Sequence, residues 1–389
     1  MVKRYHIPDP EKILHLFSNH RWTGPAEPAV NLACALLQTG HDVTFSCGKQ
    51  PRGRKNGIII NAQKKGLDIR PGLNLKKHLN PLKTWVDSRM LSRWLHQDGF
   101  GIVHAHLENA HIVSALAVLR MGQRPFVVRS CYEGDGRCSF RDKYLLQHHT
   151  DALLVVSESA RQTVVEYGFP SDRVWVVPTA IDLKRFDPKR GFHDRRAEFN
   201  INPDDFVVGI VARIQWHRRY NIFLEAIDRA RRKVPNLRAV IVGRGSNMKP
   251  IVVDPIQKMG LQDIVILPGY QAGDDFVRIL LTMDVKVFLV PGTDGSCRAV
   301  REAMAMGIPV IAAKRGMLTE LVETKKRGLI IDDSAEALSN AIVHLAKEQE
   351  KRMEMGASAR QYALNHFSSR DQAEKVGNIY EELVMHNKR

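Results

Sequence analysis

Short apolar runs recur at nearly even spacing along the chain, at 12–17, 43–45, 57–61, 101–106, 125–129, 152–156, 174–178, 206–212, 239–243, 264–269, 287–290 and 310–313. Within most runs the apolar positions are consecutive rather than alternating. That is the pattern of strands covered on both faces, as in parallel sheets. Helical spacing fills the intervals, as with Val30, Leu32, Ala33, Leu36 and Leu37, or Ile222, Phe223, Ala226 and Ile227. Alternation of strand and helix through almost the whole chain predicts an α/β architecture. A length of 389 residues suits two domains of ordinary size. The pattern therefore predicts two Rossmann-like parallel-sheet domains, 1–187 and 188–367, with a polar, basic linker at 187–203 and a final segment at 368–389. The first strand-to-helix turn lacks G-x-G-x-x-G, so a dinucleotide site is not indicated.

One stretch gathers most of the candidate chemistry: VKVFLVPGTDGSCRAVREAMAMGIPVIAA, residues 285–313. It reads as a strand, a polar loop with Ser296 as N-cap, a helix over about 297–306, a stop at Gly307-Ile308-Pro309, and a further strand. In such a unit the helix N-terminus faces the crevice beyond the strand ends, where unpaired N–H groups suit an anion. Asp294 and Glu302 frame that helix. On a helical wheel Val300, Ala303 and Met304 share one stripe, while Arg298 and Glu302 lie opposite. Taken alone, Arg298 and Glu302 read as an exposed i,i+4 ion pair worth a few tenths of a kcal/mol. Arg213 and Arg218 follow the run at 206–212 and precede a helix. Two cations on such a loop suit a diphosphate, although both also read as exposed arginines in an arginine-rich chain. His106 ends a buried run, a place where a lone histidine is commonly structural but where parallel sheets also put ligand contacts.

Charge narrows the partners. The net charge is +16, and residues 49–93 hold twelve basic side chains against only Asp68 and Asp87. Such a patch suits nucleic acid, anionic lipid or a polyanionic glycan. No zinc finger, aromatic ribonucleoprotein motif or helix-turn-helix accompanies it, which argues against nucleic acid. Within it, 85–97 carries Trp85, Met90, Leu91, Trp94 and Leu95 among basic residues. This segment reads either as an interfacial amphipathic helix or as a packed domain helix with a solvated face. No run reaches the ~20 apolar residues of a membrane span. The N-terminal residues lack the apolar centre of a signal peptide, and five cysteines show no metal-ligand spacing, so a cytoplasmic protein with reduced thiols is expected.

An acidic residue eight positions before Glu302, followed by Ala303-Met304-Ala305-x-Gly307-x-Pro309-Val310, resembles the donor-site signature of retaining nucleotide-sugar glycosyltransferases of family 4. The likeness extends over nearly the whole chain, with a "GRL-x-x-x-KG"-like element at Arg213 and Arg218, a "VGxG"-like turn at Gly243, and a "VHAH" strand ending at His106. It implies a GT-B fold, two Rossmann-like domains facing each other across a cleft, with a C-terminal helix (371–386) crossing back to the first domain. It also implies transfer with retention of configuration from a nucleoside-diphosphate sugar to a glycan or lipid-linked, lipopolysaccharide-like acceptor. The sugar nucleotide would be a co-substrate, with no metal and no further cofactor, and the enzyme could lie on the inner face of a membrane. By the same resemblance Arg213, Arg218 and the Ser296 and Cys297 amides would bind the diphosphate, Glu302 the ribose, and Asp294 and His106 the transferred sugar. Gly24, Gly243, Gly295 and Arg298 complete the implied donor site. Asp294 replaces the family's usual Glu, Arg218 its Lys, and Gly24-Pro25 its double glycine. Two rivals stay open: another enzyme on this fold, such as an epimerase or phosphorylase, and a non-catalytic binding subunit.

Overall fold

A computed structural model of the chain describes residues 9–51, 57–119, 121–132, 140–290 and 297–386. Thirteen strands among them form two sheets. The first is built from β1 (Asp9–Phe17), β2 (Asp42–Cys47), β3 (Asp68–Ile69), β4 (Phe100–His106), β5 (Phe126–Cys131), β6 (Ala152–Val155) and β7 (Val174–Val176). The second comprises β8 (Phe206–Val211), β9 (Leu237–Val242), β10 (Val265–Gly269), β11 (Val285–Phe288), β12 (Val310–Ala313) and β13 (Gly328–Ile331). The strand orders are β3-β2-β1-β4-β5-β6-β7 and β10-β9-β8-β11-β12-β13. Each pairing within them is parallel. Both sheets reverse their winding once, between β1 and β4 and between β8 and β11, so each has a crevice at the carboxyl ends of those central strands.

The chain divides into two compact units. The N-terminal unit runs to Ala180 and takes in Ser369 onward; the C-terminal unit holds the described residues from Ile181 to Ser368. The helix Ser369–His386 packs into the N-terminal unit through Ala373, Val376, Ile379 and Tyr380, against core residues such as Ile13, Val30 and Ala33. Consecutive apolar residues explain the central strands, since all seven residues of β4 are buried. Capping sets several helix ends. Asn80 accepts from Lys83 N ahead of Pro81–Asp98, Gly99 ends that helix in the left-handed region, and Ser157 and Ser334 cap Glu158–Glu166 and Ala335–Lys347.

Three sequence expectations are corrected. The run at 57–61 is not a strand: Gly57 is extended and Ile58–Lys64 is a helix, burying Ile58 and Ala62 one turn apart. Three consecutive isoleucines suit either state, and the edge strand is instead the two-residue β3. The segment 187–203 is not a loose linker. Arg196 donates to the Asp205 carbonyl at 2.9 Å and pairs with Asp284 at 2.8 Å, while Arg195 N donates to Thr282 Oγ1 at 3.0 Å, so its basic residues anchor it to the C-terminal unit. The helix containing 85–97 begins earlier, at Pro81, and divides its faces. Leu91, Trp94 and Leu95 are buried, whereas Leu82 is 72% exposed and Trp85 56%. Asp87, one of the patch's two acids, is buried and accepts from the backbone N–H groups of Asn74 and Leu75, both at 2.8 Å. Among the described residues no helix is long and apolar enough to cross a membrane.

Candidate active site

In the C-terminal unit the carboxyl edge of the sheet draws together residues far apart in sequence. Beyond β8 the ladder continues: Ala212 N donates to Val242 O at 3.1 Å and Ile214 N to Arg244 O at 3.0 Å, and exposed Arg213 lies between them. This is why Gly243 and Gly245 are glycines. A Cβ at Gly243 would lie 2.0 Å from the Ala212 carbonyl oxygen, and one at Gly245 2.0 Å from that of Ile214. The role found for Gly243 is thus to let two backbones approach under Arg213. Arg218 reaches across the reversal point and donates from Nη1 to the Val290 carbonyl at 2.8 Å. That bond ties the arginine loop to the chain leaving β11, just before the helix Arg298–Ala305. Arg219 is engaged elsewhere, paired at 2.9 Å with Asp333, which also binds Arg315.

The helix Arg298–Ala305 starts at Cys297, which is buried with φ +50° and whose carbonyl accepts from Val300 N at 2.8 Å. It stops where Gly307 adopts φ +72°. Glu302 overturns the bland reading of an exposed pair. It is 3% exposed, and Arg298 Nε donates to its carboxylate at 2.7 Å. The wheel misled because this helix is covered on both sides. A Cβ at Gly356 of the helix Gln349–His366 would lie 2.2 Å from the Gly307 carbonyl oxygen, and Arg360 donates to Ala305 O at 2.5 Å. Beneath the first turn Lys286 is fully buried, its Nζ donating to Ala299 O at 2.6 Å; burial holds its pKa down to about 8, against the opposing pull of Glu302. Sequence reading missed this lysine, although a lone charge inside an apolar strand run was the signal. Asp294, Gly295 and Ser296 lie outside the described residues.

The crevice of the N-terminal unit has a different content. His106 ends β4 opposite Phe17 at the reversal point, fully buried. Its Nε2 is hydrogen-bonded to His15 Nδ1 at 2.9 Å and its Nδ1 to the Tyr132 hydroxyl at 2.8 Å. His104, one turn of the pleat back, is hydrogen-bonded to Ser130 Oγ at 2.8 Å and to the Tyr380 hydroxyl at 2.5 Å. Burial pushes all three histidines well below the ordinary imidazole range, His15 to about 3, so the cluster is neutral. Their ligand atoms come within 4.8 Å of one another. The His104 and His106 rings stack at 4.4 Å and 21°, and both ring nitrogens of each are already hydrogen-bonded. Gly24 stands in the exposed turn before the helix Ala26–Gln38, where Ala26 N donates to Thr23 O at 2.9 Å.

Two parallel-sheet, Rossmann-like units with cations and a buried carboxylate at a sheet reversal point define a protein of the GT-B class. Models of two families tile the chain: "Glycosyltransferase Family 4" matches residues 24–185 and "Glycosyl transferases group 1" residues 192–362. The chain belongs to family 4 of the glycosyltransferases. It is 28% identical over 304 residues, 75% of its length, to a D-inositol 3-phosphate glycosyltransferase of Saccharomonospora viridis. It spans 67% of that relative's length, and 62% and 58% of two others of the same name, from Stackebrandtia nassauensis and Nocardia farcinica. Among solved structures, a glycosyltransferase from Rickettsia africae superposes with a TM-score of 0.81 at 16% identity, covering 96% of this chain and 98% of its own. Anabaena HepE, crystallised with UDP and glucose, gives 0.78 at 16% identity, covering 95% and 99%. At such identities these likenesses speak for the fold.

Proposed function

We propose that the chain transfers a sugar from a nucleoside-diphosphate sugar to a glycan or lipid-linked acceptor, with retention of configuration and without a metal ion. The observation that carries this reading is the carboxyl edge of the C-terminal sheet, with Arg213 beyond β8, Arg218 tied to the chain leaving β11, and the buried Glu302 on the helix Arg298–Ala305. The departing diphosphate is the main electrostatic burden of such a transfer, and preorganised cations with a helix N-terminus can stabilise it. Arg213 and Arg218 take the phosphates. Glu302, held rigid by Arg298, accepts from the ribose hydroxyls, and Asp294 accepts from the sugar. The assignment of His106 to the sugar requires it to exchange one of its two hydrogen bonds for a sugar hydroxyl. No side chain is offered as a covalent nucleophile.

The test is a thermal-shift series with nucleoside diphosphates, followed by turnover assays with and without acceptor. A diphosphate at 100 times its dissociation constant adds about 2.7 kcal/mol of stability. Turnover without any acceptor would favour an epimerase or phosphorylase, and tight binding without turnover on any acceptor a non-catalytic subunit.

The acceptor side is read from the helix Pro81–Asp98. Exposed Leu79, Leu82 and Trp85 stand beside the exposed Lys76, Lys77, Lys83 and Arg89. Apolar tips ringed by cations suit an anionic membrane surface bearing a lipid-linked acceptor.

A further inference from the structure

The loop that carries Arg213 and Arg218 ends on a strained residue. Arg219 has φ +61° and ψ +32°, closing the 3-10 turn Trp216–Arg218 and opening the helix Tyr220–Arg231. A residue with a Cβ stays in that left-handed conformation only where its surroundings hold it. Backbone contacts close the turn on either side: Arg218 N donates to Gln215 O at 3.0 Å and Phe223 N to Arg219 O at 3.1 Å. The buried Tyr220 ties its hydroxyl to the Ala212 carbonyl at 2.9 Å, so both ends of the loop are fastened. The Arg219 side chain is gripped by Asp333. Its Nη2 lies 2.9 Å from Asp333 Oδ2, and the same oxygen accepts from Arg315 Nη2. Asp333 stands on firm ground, between β13 and the helix Ala335–Lys347. Ser334 caps that helix through its side chain and donates from its backbone N to Asp332 O at 2.8 Å. Leu338 and Ile342 of the same helix share one apolar core with Phe223 and Ile227 of the helix Tyr220–Arg231. A carboxylate fixed at the start of one helix thus holds the strained residue that starts its neighbour.

We propose that Asp333 is a positioning residue for the diphosphate: by gripping the Arg219 side chain it keeps that backbone left-handed, and the backbone so held aims Arg218, whose Nη1 donates to the Val290 carbonyl at 2.8 Å. The inference rests on the donor-site reading above. Without the carboxylate the turn at Arg219 relaxes and Arg218 swings out of line. Diphosphate binding must then restore the turn, and is weakened by what that costs. Opposite signs separate this role from simple electrostatics. Charge alone predicts that deleting an acid near an anion site tightens the anion, and that deleting Arg219 loosens it whatever replaces the arginine. Positioning predicts a loss in the first case. In the second the replacement decides: alanine keeps the strain and loses the anchor, whereas glycine takes φ +61° without one.

Calorimetric titration of UDP, GDP and ADP into the full chain and its variants reads this directly. For whichever nucleotide binds, Asp333→Ala and Arg219→Ala should each weaken it about tenfold, while Arg219→Gly should stay within about twofold of the wild type. Asp333→Ala combined with Arg219→Gly should regain most of what Asp333→Ala alone loses, since a glycine turn has no use for the anchor. Asp333→Asn, which keeps the shape and removes the charge, serves if the alanine variant fails to fold, and should weaken binding in the same direction. Unchanged or tighter binding by Asp333→Ala overturns this inference alone. So does an equal loss in Arg219→Ala and Arg219→Gly, which would make Arg219 itself a donor contact, and so does a double variant no better than Asp333→Ala. If none of the three nucleotides binds the wild-type chain, by heat or by thermal shift, the donor-site reading falls and takes this inference with it.

Discussion

At the carboxyl ends of β1 and β4 the N-terminal unit packs three neutral imidazoles against the hydroxyls of Ser130, Tyr132 and Tyr380, whereas at the matching ends of β8 and β11 the C-terminal unit gathers arginines, a buried carboxylate and a buried ammonium. The strand order around the two crevices is the same. Topology thus supplies the place, and the side chains decide what it can do. In the histidine network both ring nitrogens of His104 and His106 are hydrogen-bonded, His15 Nε2 is buried without a partner among the described residues, and burial makes all three resist acquiring charge. The ionic edge is the reverse: among the described residues it sets Arg213, Arg218, Arg298 and Lys286 around the carboxylate of Glu302. The difference supports the proposal that a diphosphate binds in the C-terminal unit.

Acid should break the comparison most strongly. His15 titrates at about 3 in the folded chain against about 6.5 unfolded, and His104 and His106 are lowered by the same burial. The unfolded chain therefore binds protons first. The stability these groups provide is complete above pH 6.5 and is lost as pH falls towards 3, by up to roughly 4–5 kcal/mol for His15 alone. Hydrogen exchange followed by peptide should show β1 and β4 losing protection before β8 and β9 as pH drops. Equal loss in both units would mean that the network is not what distinguishes them.

Arg213→Ala comes next, with an expected fall in turnover of two orders of magnitude or more, about 2.7–4 kcal/mol. The exposed position of Arg213 keeps the fold out of the result, so an unchanged melting temperature should accompany the loss. Arg218→Lys should cost only a few-fold, since the ammonium keeps the charge and can still reach the Val290 carbonyl. Smallest is the surface effect. Trp85→Ala with Lys83→Ala should reduce co-sedimentation with anionic vesicles, at about 1 kcal/mol per basic residue, and leave turnover of a soluble acceptor unchanged. Equal binding of the wild type to neutral and anionic vesicles would contradict the membrane reading.

How far the sequence spoke follows the range of the interactions. The β11-to-β12 unit was legible because its signals are local: a strand run, Gly307, Pro309, and carboxylates at fixed spacing. The alternation of elements gave both Rossmann-like units for the same reason. The burial of Glu302 was not legible, since a helical wheel knows one covering layer and this helix has two. Nor was the partnership of His106 with His15 and Tyr132, or of His104 with Tyr380, the latter 276 positions away. The three isoleucines at 58–60 show the remaining ambiguity: a short β-branched run carries no period, and here burial of Ile58 and Ala62 selected the helix. The basic stretch at 187–203 looked like a linker because arginines on a surface and arginines anchoring backbone carbonyls are alike in composition.

The central claim, that the edge holding Glu302 is the nucleotide site, is tested most directly by calorimetric affinities of Glu302→Gln and Asp294→Asn for free nucleoside diphosphate, set beside their kinetics with the sugar nucleotide. Glu302→Gln should weaken the free diphosphate and the sugar nucleotide alike, by about 1.5–3 kcal/mol, because both carry the ribose. Asp294→Asn should leave free diphosphate binding nearly intact and impair only turnover of the sugar nucleotide. Wild-type affinity for the diphosphate in Glu302→Gln would contradict the account.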